Sequence, residues 1–364
     1  MVLARPVLAP SGRTLLQAGL ALTDLHLHKL RQLEVPMVTV LADDPPDSQV
    51  VRWLASLSNR VPYVIDQQLR GQAMGFIDGV LRQARLRGDV DVGASRQVVD
   101  KLLEELLAKE TAVSTLVDYN QADTYLSAHS VSVSVIALHL GLKKGSSRIE
   151  LRELGLAGLL HDIGKARVPA DLLSKPGPLT DEEWVLMRRH PELGSQMLGC
   201  RPGVGEQLTA ALVQHHERYD GLGYPHGLAG DQIHPMAELI ALADVFDALS
   251  SERFYRAKCE PYEVAETMIA LSGEAFRPSL LRFFLANVPA YPPGTVVRFN
   301  TGEVAMVKLA RPEMPTRPLC EMVFDADGVR LDRPRLVDLA EQLAIFPAQV
   351  LGAEPIGPIA GHRG

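Results

Sequence analysis

The sequence predicts a mainly α protein, in which a central helical domain is flanked by a small N-terminal α/β cap and a small C-terminal β module. Apolar residues recur at helical spacing through most of residues 113–289. The pattern changes at Tyr291-Pro292-Pro293-Gly294, where proline and glycine mark a break. Short runs rich in β-branched residues follow this break and favour strands.

Five segments follow from these patterns. Residues 1–45 are predicted to form a β-rich cap with strands at 2–4, 14–16 and 38–40, and residues 46–112 a helical connecting region. In the latter, Leu102, Leu103, Leu106 and Leu107 lie on one helical stripe, which favours packing between domains or a dimer helix. The helical domain covers 113–289, and the β module covers 290–350, with a hairpin around Asn300-Thr301-Gly302. Residues 351–364 are rich in glycine and proline and are predicted to be a flexible tail.

Composition excludes several classes of protein. The chain has 364 residues and a formal net charge of -7, so it lacks the basic balance of a protein that binds nucleic-acid polymers or anionic membranes. Its three cysteines form no C-x-x-C pair, which argues against both a disulfide framework and a zinc-thiolate site and favours a reducing cytoplasm. No apolar run approaches the roughly 20 residues of a membrane-spanning helix. The N-terminus does not resemble a signal peptide.

Histidine and aspartate side chains recur near the predicted helix ends of the central domain. His161-Asp162 follows a buried apolar run, His190 is expected to end a helix that begins at Thr180, and His215-His216 closes a helix over 206–214. A single histidine in such a place is more often a packed or capped residue than a ligand. Together, however, the candidates number five imidazoles and two carboxylates: His129, His161, Asp162, His190, His215, His216 and Asp244.

This donor set favours a metal site. Imidazoles and carboxylates without thiolates suit two divalent ions such as manganese or iron, each with a position open to water. They suit a structural zinc site poorly, because such sites are usually built with cysteine. A carboxylate such as Asp244 inside an apolar run is costly unless it is paired or bound to a cation.

The motifs resemble those of the HD-GYP branch of the HD phosphohydrolase superfamily. His161-Asp162-Ile163-Gly164-Lys165 is similar to the HD signature, and residues 215–225, from His215-His216-Glu217 to Gly223-Tyr224-Pro225, are similar to the second signature in full. The stretch from Asp244 to Leu249 also matches. The resemblance covers roughly residues 115–270, and the long second motif makes it specific.

The resemblance implies a role for each of these residues. His129, His161, Asp162 and Asp244 would hold one ion, and Asp162 would bridge to a second ion completed by His190, His215 and His216. Some relatives bind a third ion through a glutamate where this chain has Tyr125, so two ions are expected. Asp162 and Lys165 would act in catalysis. The implied substrate contacts are Lys165, Tyr224, Pro225, Asp247, Arg253 and Arg256. The Gly223-Tyr224-Pro225 loop could also contact a protein partner.

The activity implied by the family is hydrolysis of cyclic di-GMP to pGpG, with further cleavage to GMP left open. A hydroxide bridging the two metals would attack phosphorus, and Lys165 or a metal-bound water would protonate the leaving oxygen. Two alternatives stay open: an HD hydrolase acting on another cyclic nucleotide, and a catalytically silent scaffold. The second class would be expected to lose ligands, whereas this chain retains all seven.

Overall fold

The structure is a computed structural model. It describes residues 7–8, 14–16, 50, 53–54, 65–108, 125–173, 175, 177–199, 201, 203–250 and 261–351. The chain divides into two compact units, one formed by residues 63–290 and the other by residues 1–62 together with 291–364. The predicted strands at 2–4 and 38–40 lie outside the described residues, as does nearly all of the predicted tail. The segment boundaries drawn from the sequence stay predictions.

The unit of residues 63–290 is helical, as the sequence predicted. Its α-helices, in chain order, are α1 (Gln67–Arg87), α2 (Val92–Ala108), α3 (Tyr125–Lys144), α4 (Arg148–Leu160), α5 (Ala170–Leu173), α6 (Asp181–Met187), α7 (His190–Leu198), α8 (Glu206–Gln214), α9 (Pro235–Ser250), α10 (Pro261–Ala270) and α11 (Pro278–Asn287). Two short 3-10 helices lie at Ile163–Arg167 and Gly230–Gln232.

Helix α3 runs through the core of this unit. Its residues from Ser127 to Gly141 are buried, and α4 packs against it closely. Gly158 of α4 makes this approach possible, since a Cβ there would lie 2.8 Å from Cα of Ser134. Among the described helices, α3 over Leu126–Lys144 is long and apolar enough to cross a membrane, but 83% of that window is buried within the structure. Such burial is what the core helix of a globular unit shows.

Local signals account for the helix starts. The Ser147 side chain accepts from the backbone N–H of Glu150 at the start of α4, and Thr180 accepts from that of Glu183 at the start of α6. In both cases the glutamate carboxylate also accepts a hydrogen bond from the backbone N–H of the capping residue. The capping box predicted at Thr180 is therefore confirmed.

One expected helix end is wrong. His190 does not end the helix that Thr180 starts, because α6 stops at Met187 and His190 begins α7. Pro191 occupies the first turn of α7, where the missing N–H of proline has no intrahelical partner to lose. Pro191 therefore starts a new helix and does not end the preceding one.

The unit of residues 1–62 and 291–364 contains the β module. Its described strands are β1 (Val7–Leu8), β2 (Thr14–Leu16), β3 (Val296–Phe299), β4 (Val304–Leu309), β5 (Leu319–Phe324), β6 (Arg330–Asp338) and β7 (Pro347–Val350). Strands β3 to β7 form an antiparallel sheet in the order β6-β5-β4-β3-β7, and the predicted hairpin is β3 with β4. Val50 and Trp53 of the N-terminal part pack on this sheet, with the Trp53 ring 5.4 Å from that of Phe324.

Candidate metal centre

Five helices bring the seven candidate ligands to one buried place. His129 lies on α3, His161 and Asp162 follow the end of α4, and His190 opens α7. His215 and His216 follow the last residue of α8, and Asp244 lies on α9. Ligands that are 115 residues apart in the sequence therefore meet in space. Their donor atoms fall into two groups, each with atoms within 4.8 Å of one another: Asp162, His190, His215 and His216 in one, and His129, His161 and Asp244 in the other.

Asp162 stands between the two groups. Its Oδ1 atom lies 3.3 Å from Nε2 of His190, and its Oδ2 atom lies 3.3 Å from Nε2 of His161 and 3.9 Å from Nε2 of His129. The residue is only 1% exposed. One carboxylate thus faces both groups, which is the arrangement a shared ligand needs.

The donor atoms within each group point toward a common centre. Nε2 of His129 lies 3.0 Å from Oδ1 of Asp244, and Nε2 of His161 lies 4.0 Å from the same oxygen. In the other group, Nε2 of His190 lies 3.3 Å from Nε2 of His215. The ring centroids of His215 and His216 are 4.1 Å apart, and both residues offer a donor atom to this group.

Three of the histidines are oriented by the backbone three residues earlier. Nδ1 of His161 lies 2.8 Å from the Gly158 carbonyl oxygen, Nδ1 of His190 lies 2.8 Å from that of Met187, and Nδ1 of His215 lies 2.7 Å from that of Leu212. A carbonyl can only accept, so Nδ1 carries the proton in each ring. The lone pair is then on Nε2, the atom that faces the centre, and this tautomer is the one that binds a metal.

His129 is oriented in a different way. Its Nδ1 atom lies 2.7 Å from Oδ2 of Asp247, one turn beyond Asp244 on α9. Both side chains are buried. A carboxylate behind a ligating imidazole fixes the ring and strengthens it as a donor. Asp247 is therefore engaged inside the protein, and its expected contact with substrate stays a prediction.

The residues present fit a pair of cations. Nε2 of His161 and Oδ1 of Asp162 are buried and have no hydrogen-bond partner among the described residues. Buried polar atoms in proteins are nearly always paired. The facing Nε2 atoms of His190 and His215 likewise bring two lone pairs together at 3.3 Å, given the protons on Nδ1. One cation in each ligand group would satisfy these atoms.

The charges of the centre also favour cations. Burial raises the pKa of Asp162, but the positive charge of Lys165, together with the neighbouring His161 and His190 rings, outweighs burial and holds that pKa well below its usual range. Burial lowers the pKa of His216 to about 3 and that of His215 far below its ordinary value, so both rings stay neutral. Burial also lowers the pKa of His129, but its hydrogen bonds to Asp244 and Asp247 outweigh burial and raise it to about 10. The anionic Asp162 and the neutral rings of His215 and His216 are therefore in the state that binds a metal, and an ion held by His129 would displace the proton from its Nε2 atom.

Comparisons with known proteins agree with this geometry. The chain matches the HD domain family over residues 102–280 and the family described as KOW domain associated with HD domain over residues 296–356. A cyclic di-GMP phosphodiesterase of Pseudomonas aeruginosa is 33% identical over 346 residues, which is 90% of this chain and 83% of that protein. The chain belongs to the HD-GYP branch of the HD-domain family.

Two further relatives show how the HD-GYP region is shared. A cyclic di-GMP phosphodiesterase response regulator of Xanthomonas campestris is 30% identical over 260 residues, which is 68% of this chain and 66% of the relative. A 3′3′-cGAMP-specific phosphodiesterase of Vibrio cholerae is 35% identical over 161 residues, which is 44% of this chain and 31% of the relative. The names of the relatives thus include two different cyclic dinucleotides.

The HD motif of this HD-GYP protein positions a lysine as well as the ligands. Nζ of Lys165 lies 2.5 Å from Oδ2 of Asp162, and the lysine side chain is 24% exposed. Lys165 therefore lies between the buried carboxylate and solvent. Gly164 has to be a glycine here, because a Cβ at this position would overlap the His190 carbonyl oxygen.

The GYP motif covers the second group of ligands. The Tyr224 ring stacks on the His216 ring with centroids 4.7 Å apart and an interplanar angle of 26°. Tyr224-Pro225 is a cis peptide, and the backbone N–H of Tyr224 donates to the His216 carbonyl oxygen at 3.1 Å. Gly223 is required at this bend, since a Cβ there would meet the backbone of His216 and Glu217.

Glu217 is a residue of the HD-GYP motif to which the sequence reasoning assigned no role. It is buried, and its carboxylate accepts from the backbone N–H of His226 at 2.7 Å and from that of Leu228 at 3.0 Å. These two hydrogen bonds fix the position of the loop that carries Tyr224 and Pro225. The signal in the sequence was a carboxylate next to two ligands, but nothing there showed which backbone atoms it meets. Arg253 and Arg256 lie outside the described residues.

Proposed function

We propose that this protein is a metal-dependent phosphodiesterase that hydrolyses cyclic di-GMP to pGpG. The observation that supports the proposal most directly is the buried pair of ligand groups joined by Asp162. The relatives from Pseudomonas aeruginosa and Xanthomonas campestris are named cyclic di-GMP phosphodiesterases. A second cleavage to GMP, a cytoplasmic location, a homodimer and a protein partner at the GYP loop stay predictions.

In this proposal His129, His161, Asp162 and Asp244 hold one divalent ion, and Asp162, His190, His215 and His216 hold another. Iron or manganese suits this mixed imidazole and carboxylate set. When bound, the ions supply Lewis acidity, which makes water nucleophilic near neutral pH and neutralises charge on the phosphate. The bridging position of Asp162 means that its removal disturbs both ions at once.

The chain's own groups around the centre bind and orient the substrate phosphate. Lys165 carries its ammonium at the solvent-facing side of Asp162, where it can donate to a non-bridging phosphate oxygen or to the leaving oxygen. Asp162 holds that ammonium in place. Tyr224 limits the open side of the centre through its stack on His216. Arg253 and Arg256 are proposed as further phosphate contacts on the sequence alone.

A second candidate substrate has specific support. The Vibrio cholerae relative at 35% identity is named for 3′3′-cGAMP, and another from the same organism is 41% identical over 151 residues. These names favour testing the mixed dinucleotide beside cyclic di-GMP. Both substrates present the same phosphodiester to the ligands, so they are distinguished by base recognition and not by the metal centre.

The experiment is anaerobic purification with metal quantification, followed by a turnover assay on cyclic di-GMP, 3′3′-cGAMP and cyclic di-AMP. We expect about two metal ions for each chain, as the two ligand groups imply, and release of pGpG as the first product. Asp162→Ala should lose both metal and turnover, whereas Asp332→Asn, on the exposed edge strand β6, should retain both. A metal-loaded protein that cuts none of the three dinucleotides would rule out the proposal and favour the scaffold.

A further inference from the structure

A column of aromatic and cationic side chains leads outward from the second ligand group. It consists of His216, Tyr224, Arg188 and Trp184. Tyr224 stacks on His216, and the Arg188 guanidinium carbon lies 5.5 Å from the Tyr224 ring centroid. The same carbon lies 5.7 Å from the ring centroid of Trp184, one helical turn earlier. The column therefore connects a metal ligand to exposed side chains without a break.

The two outer side chains of this column, Arg188 and Trp184, are free to contact a ligand. Trp184 is 43% exposed although it is a large apolar residue, and Arg188 is also exposed. Among the residues that the structure describes, no carboxylate pairs with Arg188 and no hydrogen bond takes up its guanidinium N–H groups. Two other arginines of the helical unit differ from Arg188: Arg218 is bound to Asp220, and Arg277 to Asp231 and Glu238.

The chemistry of these two side chains suits a guanine base. An arginine donates two parallel hydrogen bonds to O6 and N7 of guanine, and an indole face stacks on any base. Adenine presents an N6 amino donor in place of O6, so it repels one arm of the guanidinium. A phosphate alone would use Arg188 but would gain nothing from an exposed indole beside it.

We propose that Arg188 and Trp184 form a guanine-binding subsite next to the metal centre, with Arg188 reading the O6 and N7 edge and Trp184 stacking on the ring. The inference deepens the proposed function and rests on it, because it names the base that is read beside the phosphate undergoing cleavage. It also explains the position of the pair: Arg188 precedes the ligand His190 by two residues, so the subsite and the metal group are held by the same turn between α6 and α7.

The first test compares substrates in steady-state kinetics. Arg188→Ala should raise KM for cyclic di-GMP about tenfold or more, since a bidentate arginine contact discriminates between bases by that order. The same variant should leave KM for cyclic di-AMP nearly unchanged. Arg189→Ala is the matched control, because Arg189 is the adjacent exposed arginine, and it should behave as wild type. Metal content should be equal in all three proteins.

The second test does not depend on turnover. The chain has two tryptophans, Trp53 and Trp184, so fluorescence can report on one of them. GMP should quench the emission of the metal-loaded protein more strongly than AMP, and Trp184→Phe should abolish the difference while Trp53→Phe retains it.

Three results would overturn the subsite. The first is an equal rise of KM for cyclic di-GMP and cyclic di-AMP in Arg188→Ala, which would indicate a phosphate contact. The second is no rise of KM for either substrate in that variant. The third is equal quenching of the wild-type fluorescence by GMP and AMP. If the wild-type protein cuts no dinucleotide, the proposed function fails, while the quenching comparison still decides whether the pair reads guanine.

Discussion

Oδ2 of Asp247 lies 2.7 Å from Nδ1 of His129, so a buried carboxylate stands directly behind one candidate metal ligand. His161, His190 and His215 are oriented by backbone carbonyls three residues earlier in the chain. A backbone carbonyl persists whatever side chain is substituted, but Asp247 can be replaced. The orientation of His129 is therefore open to a direct mutational test.

Asp247→Asn should weaken metal binding by about 10- to 100-fold, the usual effect of losing an outer-shell partner of a ligating histidine. The amide is neutral and no longer strengthens His129 as a donor. Calorimetric titration of metal-free protein with Mn²⁺ measures the change, with Asp332→Asn as the control. Unchanged affinity in Asp247→Asn would show that the carboxylate does not support the ligand.

Asp162→Ala should remove hydrolysis and reduce the bound metal below one ion for each chain, since Asp162 faces both ligand groups. It should also free Lys165, whose partner is Asp162 Oδ2. Metal analysis beside the turnover assay measures both effects. Turnover that persists in this variant would contradict the assignment of Asp162 as a shared ligand.

Glu217→Gln should destabilise the GYP loop, because an amide NH₂ group would replace one of the two oxygens that accept from His226 and Leu228. A buried donor left facing another donor costs about 1–3 kcal/mol. Urea unfolding measures the loss. Glu274→Gln is the control, because the Glu274 side chain is exposed and, among the described residues, forms an ion pair with Arg218 alone. Equal stabilities of the two variants would show that the loop does not depend on Glu217.

His139 should make stability fall in mild acid. It is buried in α3, and its Nε2 atom donates to the Asn287 carbonyl oxygen. Burial lowers the pKa of His139 from 6.5 to about 4; the hydrogen bond to Asn287 opposes this shift, and the charge of Lys143 adds to it. Between pH 6.5 and pH 4, His139 takes up a proton in the unfolded chain but not in the native protein. The free energy of unfolding is therefore complete above pH 6.5 and falls as pH drops toward 4, by about 3 kcal/mol from this residue.

Urea unfolding at pH 5 and pH 7 tests this dependence. His139→Gln retains a donor for the Asn287 carbonyl but does not titrate, so its stability should decline less than that of the wild type over the same interval. The loss of stability that remains in His139→Gln between pH 7 and pH 5 comes from the other titrating groups, including the other buried histidines. If the two proteins lose the same stability between these pH values, His139 is not the group responsible.

Motif spacing and local pattern determined a large part of this protein in advance. The mainly helical fold, the C-terminal hairpin, the capping box at Thr180 and the HD-GYP family are legible in the sequence because each depends on residues close together in the chain. The seven candidate ligands were also proposed from the sequence, most of them as polar groups near helix ends and Asp244 as a carboxylate inside an apolar run. The exception, the start of a helix at His190, arose because proline is compatible with both the end and the beginning of a helix.

Tertiary structure alone decided how those residues are used. Contacts between segments that are separate in the chain place Asp247 behind His129, Asp162 between two ligand groups and Arg188 beside the Tyr224 ring. The path of the loop after His216 decides which backbone N–H groups Glu217 meets. Periodicity assigns a side chain to a face of a helix, but it carries no information about which other helix that face will meet. The chemical types of the ligands were thus set by local sequence, whereas the pairing, protonation and accessibility of each one were set by packing.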